Sequence, residues 1–180
     1  MIYVFLAEGF EEIEALTPVD VLRRAGLKVT IAGVGSKEIT GSHGITVLCD
    51  EQAESLTPSP DLEAIILPGG MPGTLNLEKS QKVNEFIDYA YSHEKYLCAI
   101  CAAPSVLGHK NILNGKNAIC FPGFEKDLFG ANISSEYVVK DGNIITARGM
   151  GVSLQFGLKI AEQFIGKEKA EAIKSSVQCL

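Results

Sequence analysis

Short apolar runs and longer amphipathic stretches alternate along this chain almost from end to end. Ile2–Leu6 is an apolar run of strand length, and Glu11–Ala25 reads as a helix that Gly26 ends. Lys28–Ala32 predicts a second strand, followed by short extended pieces at Glu38–Thr40 and Ile45–Cys49 around Gly41 and Gly44. Thr57-Pro58-Ser59-Pro60 is a loop, and Ala64-Ile65-Ile66-Leu67 is a strand buried on both faces that Pro68-Gly69-Gly70 breaks. Gln81–Glu94 carries Val83, Phe86, Ile87 and Ala90 at the spacing of an amphipathic helix. The apolar run ending at Cys101 predicts a strand, with a helix over about Ala102–Leu107 after it. Ala118–Phe121 is a further strand candidate, and Tyr137–Lys140 and Asn143–Ala147 flank Asp141-Gly142, a two-residue hairpin signal. Ser153–Ile165 and Glu168–Ser175 close the chain as helices. Strands alternating with helices predict βαβ units: an α/β fold with a mainly parallel sheet, helices on both faces, and one domain over residues 1–180.

In such sheets ligands bind beyond the carboxyl ends of the strands. Three breakpoints are expected to meet there: Ala7-Glu8-Gly9, Pro68-Gly69-Gly70 and Cys101. Cys101 ends a buried strand and is followed by small residues and Pro104, the pattern of a sharp strand-to-helix turn. A thiol there faces unpaired helix N–H groups and the positive end of the helix dipole, both of which favour thiolate, the nucleophilic form. Gly69-Gly70 after their strand and Ala102 after Cys101 are placed to offer backbone N–H donors to a developing oxyanion. The first helix opens with Glu11-Glu12-Ile13-Glu14; with Ile13 and Leu16 pointing to the core, one glutamate faces the sheet end as a proton donor of raised pKa. Spacing does not say which.

Charge and cysteine usage narrow the classes further. Sixteen basic and twenty-two acidic residues give a net charge of −6 with no basic cluster, which disfavours nucleic acid as a partner. No apolar run approaches the length of a membrane span, and the apolar N-terminus, lacking a basic leader, reads as a core strand rather than a signal peptide. Five cysteines at irregular spacing suit reduced thiols and a cytoplasmic location better than a disulfide framework. Cys98 and Cys101 match a redox C-x-x-C in form, but residues three apart on a strand are expected on opposite faces. His43, His93 and His109 show no metal-ligand spacing, so neither a metal nor a cofactor is expected.

Five stretches in order, Ala7–Glu14, Pro18–Gly26, Leu67–Gly70, Ala99–Pro104 and Thr146–Gly149, resemble the ThiJ/PfpI superfamily, and most of all its DJ-one branch, the parkinsonism-associated protein and its bacterial relatives. The resemblance implies a flavodoxin-like three-layer sandwich, a homodimer, and a cysteine in a strained elbow. By position it makes Cys101 the nucleophile and redox-sensitive thiol, Glu14 its protonated partner, and Gly70 and Ala102 the oxyanion donors. Arg24 and His43 are candidate substrate or anion contacts, His43 standing where relatives carry an arginine directed at the neighbouring subunit's cysteine. Protease-like members place a histidine directly after the cysteine; Ala102 stands there, so a protease is not expected. Some relatives also place a histidine where Phe121 stands. The implied function is a cofactor-independent glyoxalase or protein deglycase acting on 2-oxoaldehydes such as methylglyoxal or on their early adducts with proteins. The alternative is a redox sensor or redox-regulated chaperone in which Cys101 becomes a sulfinic acid.

Overall fold

Ala64–Leu67 (β6) is fully buried and pairs in parallel with a neighbour on each side, as an apolar run without polar alternation requires. The computed structural model describes residues 1–179. Its remaining strands are β1 (Ile2–Leu6), β2 (Val29–Gly33), β3 (Glu38–Thr40), β4 (Thr46–Leu48), β5 (Glu51–Gln52), β7 (Tyr96–Ile100), β8 (Asn117–Ala118), β9 (Asn132–Ile133), β10 (Val138–Asp141) and β11 (Ile144–Ala147). The helices are α1 (Glu12–Arg24), α2 (Gly73–Lys79), α3 (Gln81–Ser92), α4 (Pro104–His109), α5 (Ser153–Ile165) and α6 (Lys167–Ser176). Seven strands form the main sheet in the order β10-β11-β7-β6-β1-β2-β5, parallel except for β10 against β11. This is the expected flavodoxin-like α/β sandwich.

The period-two alternation of each strand sorts its side chains between two apolar layers. Ile2, Val4 and Leu6 of β1 join Leu22 of α1 and Phe156 and Ile160 of α5 on one face. Phe5 joins Phe86 and Ile87 of α3 and Leu107 of α4 on the other. The Phe5 and Phe86 rings meet edge to face at 5.0 Å, which fixes α3 against the centre of the sheet. No helix among the described residues is long and apolar enough to cross a membrane.

Several local expectations are corrected. The helix α2, starting at Gly73, lies just beyond the break at Pro68-Gly69-Gly70 and was not expected there, because Pro72 interrupts any helical pattern that would announce it. The helix after Cys101 begins at Pro104, so Ala102 and Ala103 lie in the turn and the Ala102 N–H is a turn donor rather than a helical one. The strand expected at Ala118–Phe121 is reduced to β8, which pairs only with β9. Ile119 N–H then donates to Thr146 Oγ1, and Phe121 N–H donates to the Cys101 carbonyl at 2.8 Å. The hairpin register pairs Asp141 with Ile144, so its two loop residues are Gly142 and Asn143, with Gly142 at φ 61°.

Candidate functional site

After β1 the chain passes through α1 to β2 on one side of β1, and it later returns through β6 on the other. The two connections leave a crevice beyond the carboxyl ends of β1 and β6, with β7 beside it. Glycine backbones interlock the loops that end these strands. Glu11 N–H donates to Gly69 O at 2.9 Å, and Gly73 N–H donates to Gly9 O at 3.2 Å. Gly70 has φ 90°, and a Cβ on it would lie 2.4 Å from Glu11 N; only glycine suits both the conformation and the space.

Cys101 occupies the left-handed region at φ 63°, where a side-chain-bearing residue pays a strain of about 1–3 kcal/mol. The strain is held from several sides: Cys101 N–H donates to Ala147 O at 2.9 Å, the Cys101 carbonyl accepts from Phe121, and Ser105 Oγ donates to Ala102 O at 2.7 Å. The same conformation breaks the strand alternation. Cys101 packs against the layer that holds Cys98, so the expectation of opposite faces is corrected; both thiols are nevertheless free.

Gly69 stands at the centre of the site. A Cβ on it would lie 2.6 Å from Glu14 Oε2, 2.7 Å from Cys101 Cβ and 3.1 Å from Ala102 N, which shows how tightly those three groups converge. Its N–H donates to Glu14 Oε2 at 2.9 Å. Glu14 is therefore the glutamate that faces the sheet end. The expectation that Ile13 and Leu16 point to the core is corrected: Ile13 is exposed and Leu16 only partly buried, because the face of α1 turned inward carries Glu14, Ala15 and Pro18. Glu11 instead caps the helix, its Oε2 accepting from Glu14 N–H at 2.7 Å. Glu14 is 1% exposed, and burial lifts its carboxyl from the ordinary 4.5 to about 7, against the opposing pull of its hydrogen bonds with Cys101 and Gly69. The contact with the thiol leaves Oε1 without a well-formed hydrogen bond among the described residues.

The Cys101 thiol is pushed up to about 12, first by burial and then by the Glu14 carboxylate, while the N–H groups of Ala102 and Gly70 pull it down. The expected free thiolate is thus corrected: the dipolar donors are present, but desolvation outweighs them. Burial raises Cys49, Cys98 and Cys120 as well. What sets Cys101 apart is the pair of N–H donors on its sulfur together with an acid poised near neutrality, an arrangement in which thiol and carboxyl exchange a proton.

The two candidate anion contacts do not join this cluster. Arg24 lies at the other end of α1, about 15 Å of helix from Glu14, and is ion-paired with Asp20. His43 is exposed and bound to Glu12: its backbone N–H donates to Glu12 Oε1 at 2.8 Å, and its Nδ1 lies 2.9 Å from Oε2. The tether between Glu12 and the 41–45 loop was not visible in the sequence. Gly41 permits it, since a Cβ there would lie 2.4 Å from Glu12 Oε1. Glu11, Glu12 and His43 bring ligand atoms within 4.8 Å of one another, but protein donors already occupy both glutamates.

Burial alone would raise the Glu12 pKa; its bonds to His43 and to the backbone more than reverse this, and His43 is raised in turn by Glu12. The tether therefore weakens as pH falls through the lowered Glu12 value, and again as pH rises through the raised His43 value. Replacing Glu12 by alanine strands the backbone N–H groups it holds. It is expected to destabilise the protein by about 2 kcal/mol, with faster amide exchange over residues 41–45, read by denaturant titration and hydrogen exchange.

A strained cysteine at a sheet switch point, facing two backbone N–H donors and a buried acid, places the chain among α/β proteins built around one thiol. The chain belongs to the DJ-1/PfpI family, whose model matches residues 1–163. It is similar to DJ-1beta of Drosophila melanogaster, with 38% identity over 173 residues, 94% of this chain and 92% of that protein. The crystal structure of that protein superposes with a TM-score of 0.93 at 35% identity, covering 99% of this chain and 97% of the other. A structure of oxidised Toxoplasma gondii DJ-1 gives a TM-score of 0.94 at 29% identity, covering 99% and 97% of the two chains. A deglycase of Pyrococcus abyssi is 31% identical over 153 residues, 83% of this chain and 90% of that protein. The chain's function is accordingly of the DJ-1 type.

Proposed function

We propose that the protein is a cysteine-dependent, cofactor-independent enzyme that converts 2-oxoaldehydes such as methylglyoxal, or their early adducts on proteins, into 2-hydroxy acids. It would act as a cytoplasmic homodimer in defence against carbonyl and oxidative stress. The observation that carries this reading is the convergence of Glu14, Cys101 and Ala102 around Gly69. Similarity to a deglycase supports it. Ile13 and Ile45, exposed apolar residues on either side of the Glu12 tether, are consistent with a covered face.

Proton positions order the steps. The ionised Glu14 takes the thiol proton as sulfur adds to the aldehyde carbon, and the new oxyanion lies beside the Gly70 and Ala102 N–H groups. Glu14 protonates it, giving a hemithioacetal. The carboxylate then removes the hydrogen from that carbon and returns a proton to the neighbouring carbonyl carbon, while the hydroxyl proton passes to the neighbouring oxygen. The first carbon is oxidised to a thioester and the second reduced to an alcohol, so no external oxidant or reductant is needed. Water cleaves the thioester, which releases the hydroxy acid and restores the thiol. In deuterated water, methylglyoxal should yield lactate, with deuterium at C2 to the extent that the Glu14 carboxyl exchanges before it returns its proton, detected by NMR; absence of turnover would contradict this sequence of steps.

A second reading draws on the same donors. A sulfinate on Cys101 would be held by the Gly70 and Ala102 N–H groups and by a protonated Glu14, and a relative of similar fold was solved in an oxidised form. Mild peroxide followed by mass spectrometry should then modify Cys101 first. Equal oxidation of all five cysteines would sink it.

A further inference from the structure

A pocket of about 390 Å³, lined by none of Cys101, Glu14, Gly70 and Ala102, plays no part in the steps above. Phe121, Tyr137, Arg148, Gly149, Met150 and Val152 are among the residues that line it. Three of them, Phe121, Tyr137 and Met150, are large apolar side chains left about half exposed. Its connection to the site is a backbone hydrogen bond and a close approach. Phe121 is fastened to the Cys101 carbonyl through its N–H, and a Cβ on Gly149 would lie 3.3 Å from the Phe121 ring and 4.0 Å from Glu14 Oε1. Gly149, which lines the pocket, therefore lies against both the ring and the acid, and a side chain there would stand between them. The far wall is fixed in turn, because Arg148 N–H donates to Tyr137 O at 2.9 Å and the Arg148 guanidinium sits 5.5 Å from the centre of the Tyr137 ring.

Resting on the catalytic reading above, we propose that this pocket holds an aromatic substituent on the carbonyl compound, so that the enzyme prefers aryl over methyl 2-oxoaldehydes. The volume lies within the range of small-molecule sites. Two rings and a thioether offer edge, face and sulfur contacts that suit an aromatic group, whereas a methyl group would leave the pocket filled with water. Phe121 matters most here. A histidine at this position would bring a polar ring to the mouth of the pocket, and the phenylalanine makes it apolar.

The test compares initial rates with phenylglyoxal and methylglyoxal for the wild type, Phe121→His and Tyr137→Ala. The wild-type kcat/KM is expected to favour phenylglyoxal by at least about tenfold, the discrimination that a single methylene already provides in an apolar pocket. Each substitution should lower that ratio at least about fivefold, mainly through KM for phenylglyoxal. A parallel measurement needs no turnover: alkylation of Cys101 by N-phenyliodoacetamide should outpace iodoacetamide, and the advantage should shrink in both variants. If neither aldehyde is converted but the aryl advantage in alkylation depends on Phe121 and Tyr137, the pocket stands and the catalytic reading falls. If the variants leave the alkylation advantage unchanged, or none exists in the wild type, the pocket assignment is overturned.

Discussion

Replacing Cys101 by serine is expected to cut turnover of methylglyoxal by at least about a thousandfold, because the nucleophile is lost while every other group stays in place. Serine keeps the left-handed backbone, the Ala147 and Phe121 hydrogen bonds and most of the packing, so the fold should survive. Glycine supplies a second control. It adopts φ 63° without strain, and this relief offsets its larger entropy loss on folding. Cys101→Gly should thus be inactive yet within about 1 kcal/mol of wild-type stability. Thermal unfolding alongside lactate production separates the two effects. Retained turnover in either variant would remove Cys101 from the mechanism.

Glu14→Gln is expected to move activity and stability in opposite directions. The amide oxygen still accepts from Gly69 N–H, but the group no longer takes or returns a proton, so turnover should fall about a hundredfold to ten-thousandfold. The pH dependence carries the same signature. Below about pH 7 both the carboxyl and the thiol hold protons, and nothing nearby accepts the thiol proton; as pH rises through about 7 the pair loses one proton and the rate should climb. That limb should vanish in Glu14→Gln.

Stability follows from the same shift with a definite sign. A carboxyl whose folded pKa is raised from 4.5 to about 7 contributes most below pH 4.5, and that contribution is lost as pH rises through about 7. At pH 8 the wild type is therefore destabilised by about 3 kcal/mol through keeping a buried carboxylate charged. Glu14→Gln should recover about 2 kcal/mol at pH 8 and nothing at pH 4, measured by urea titration at the two pH values. A substitution that destabilised equally at both pH values would mean that Glu14 is a packing residue.

The strands and amphipathic helices were legible because each carries a one-dimensional period. Ala64–Leu67 has no polar break, Gln81–Ser92 repeats every three or four residues, and Ser153–Ile165 does the same. The misses have equally local causes. The α2 helix hid behind Pro68, Gly69, Gly70 and Pro72, whose individual preferences point to loop although the tight contacts of Gly9, Gly70 and Gly73 demand them. The strand at Ala118–Phe121 looked apolar enough to join the sheet, but its N–H groups go to the side chain of Thr146 and the carbonyl of Cys101.

The site divides in the same way. Cys101, the Gly69-Gly70 pair and Ala102 were readable from the ends of two strands and the small residues around them, and the three breakpoints do meet where parallel-sheet topology requires. Glu14 was singled out only through resemblance, because four acidic and apolar residues in one helical turn differ in direction by angles that spacing alone does not resolve. The protonation state of the thiol was misjudged: donors can be counted along a chain, whereas desolvation depends on what surrounds the sulfur in three dimensions. The Glu12–His43 tether and the pocket of Phe121, Tyr137 and Met150 join segments that the chain brings together only on folding.

By itself, then, the order of residues determined the layers, the switch point and the place of Cys101 beside it, since these follow from periodicity and chain connectivity. Only the tertiary structure decided which acid faces that thiol, how far burial raises them both, and what lies beside them. Those are properties of distance and dielectric, and they come into being when residues far apart in the chain are packed away from water.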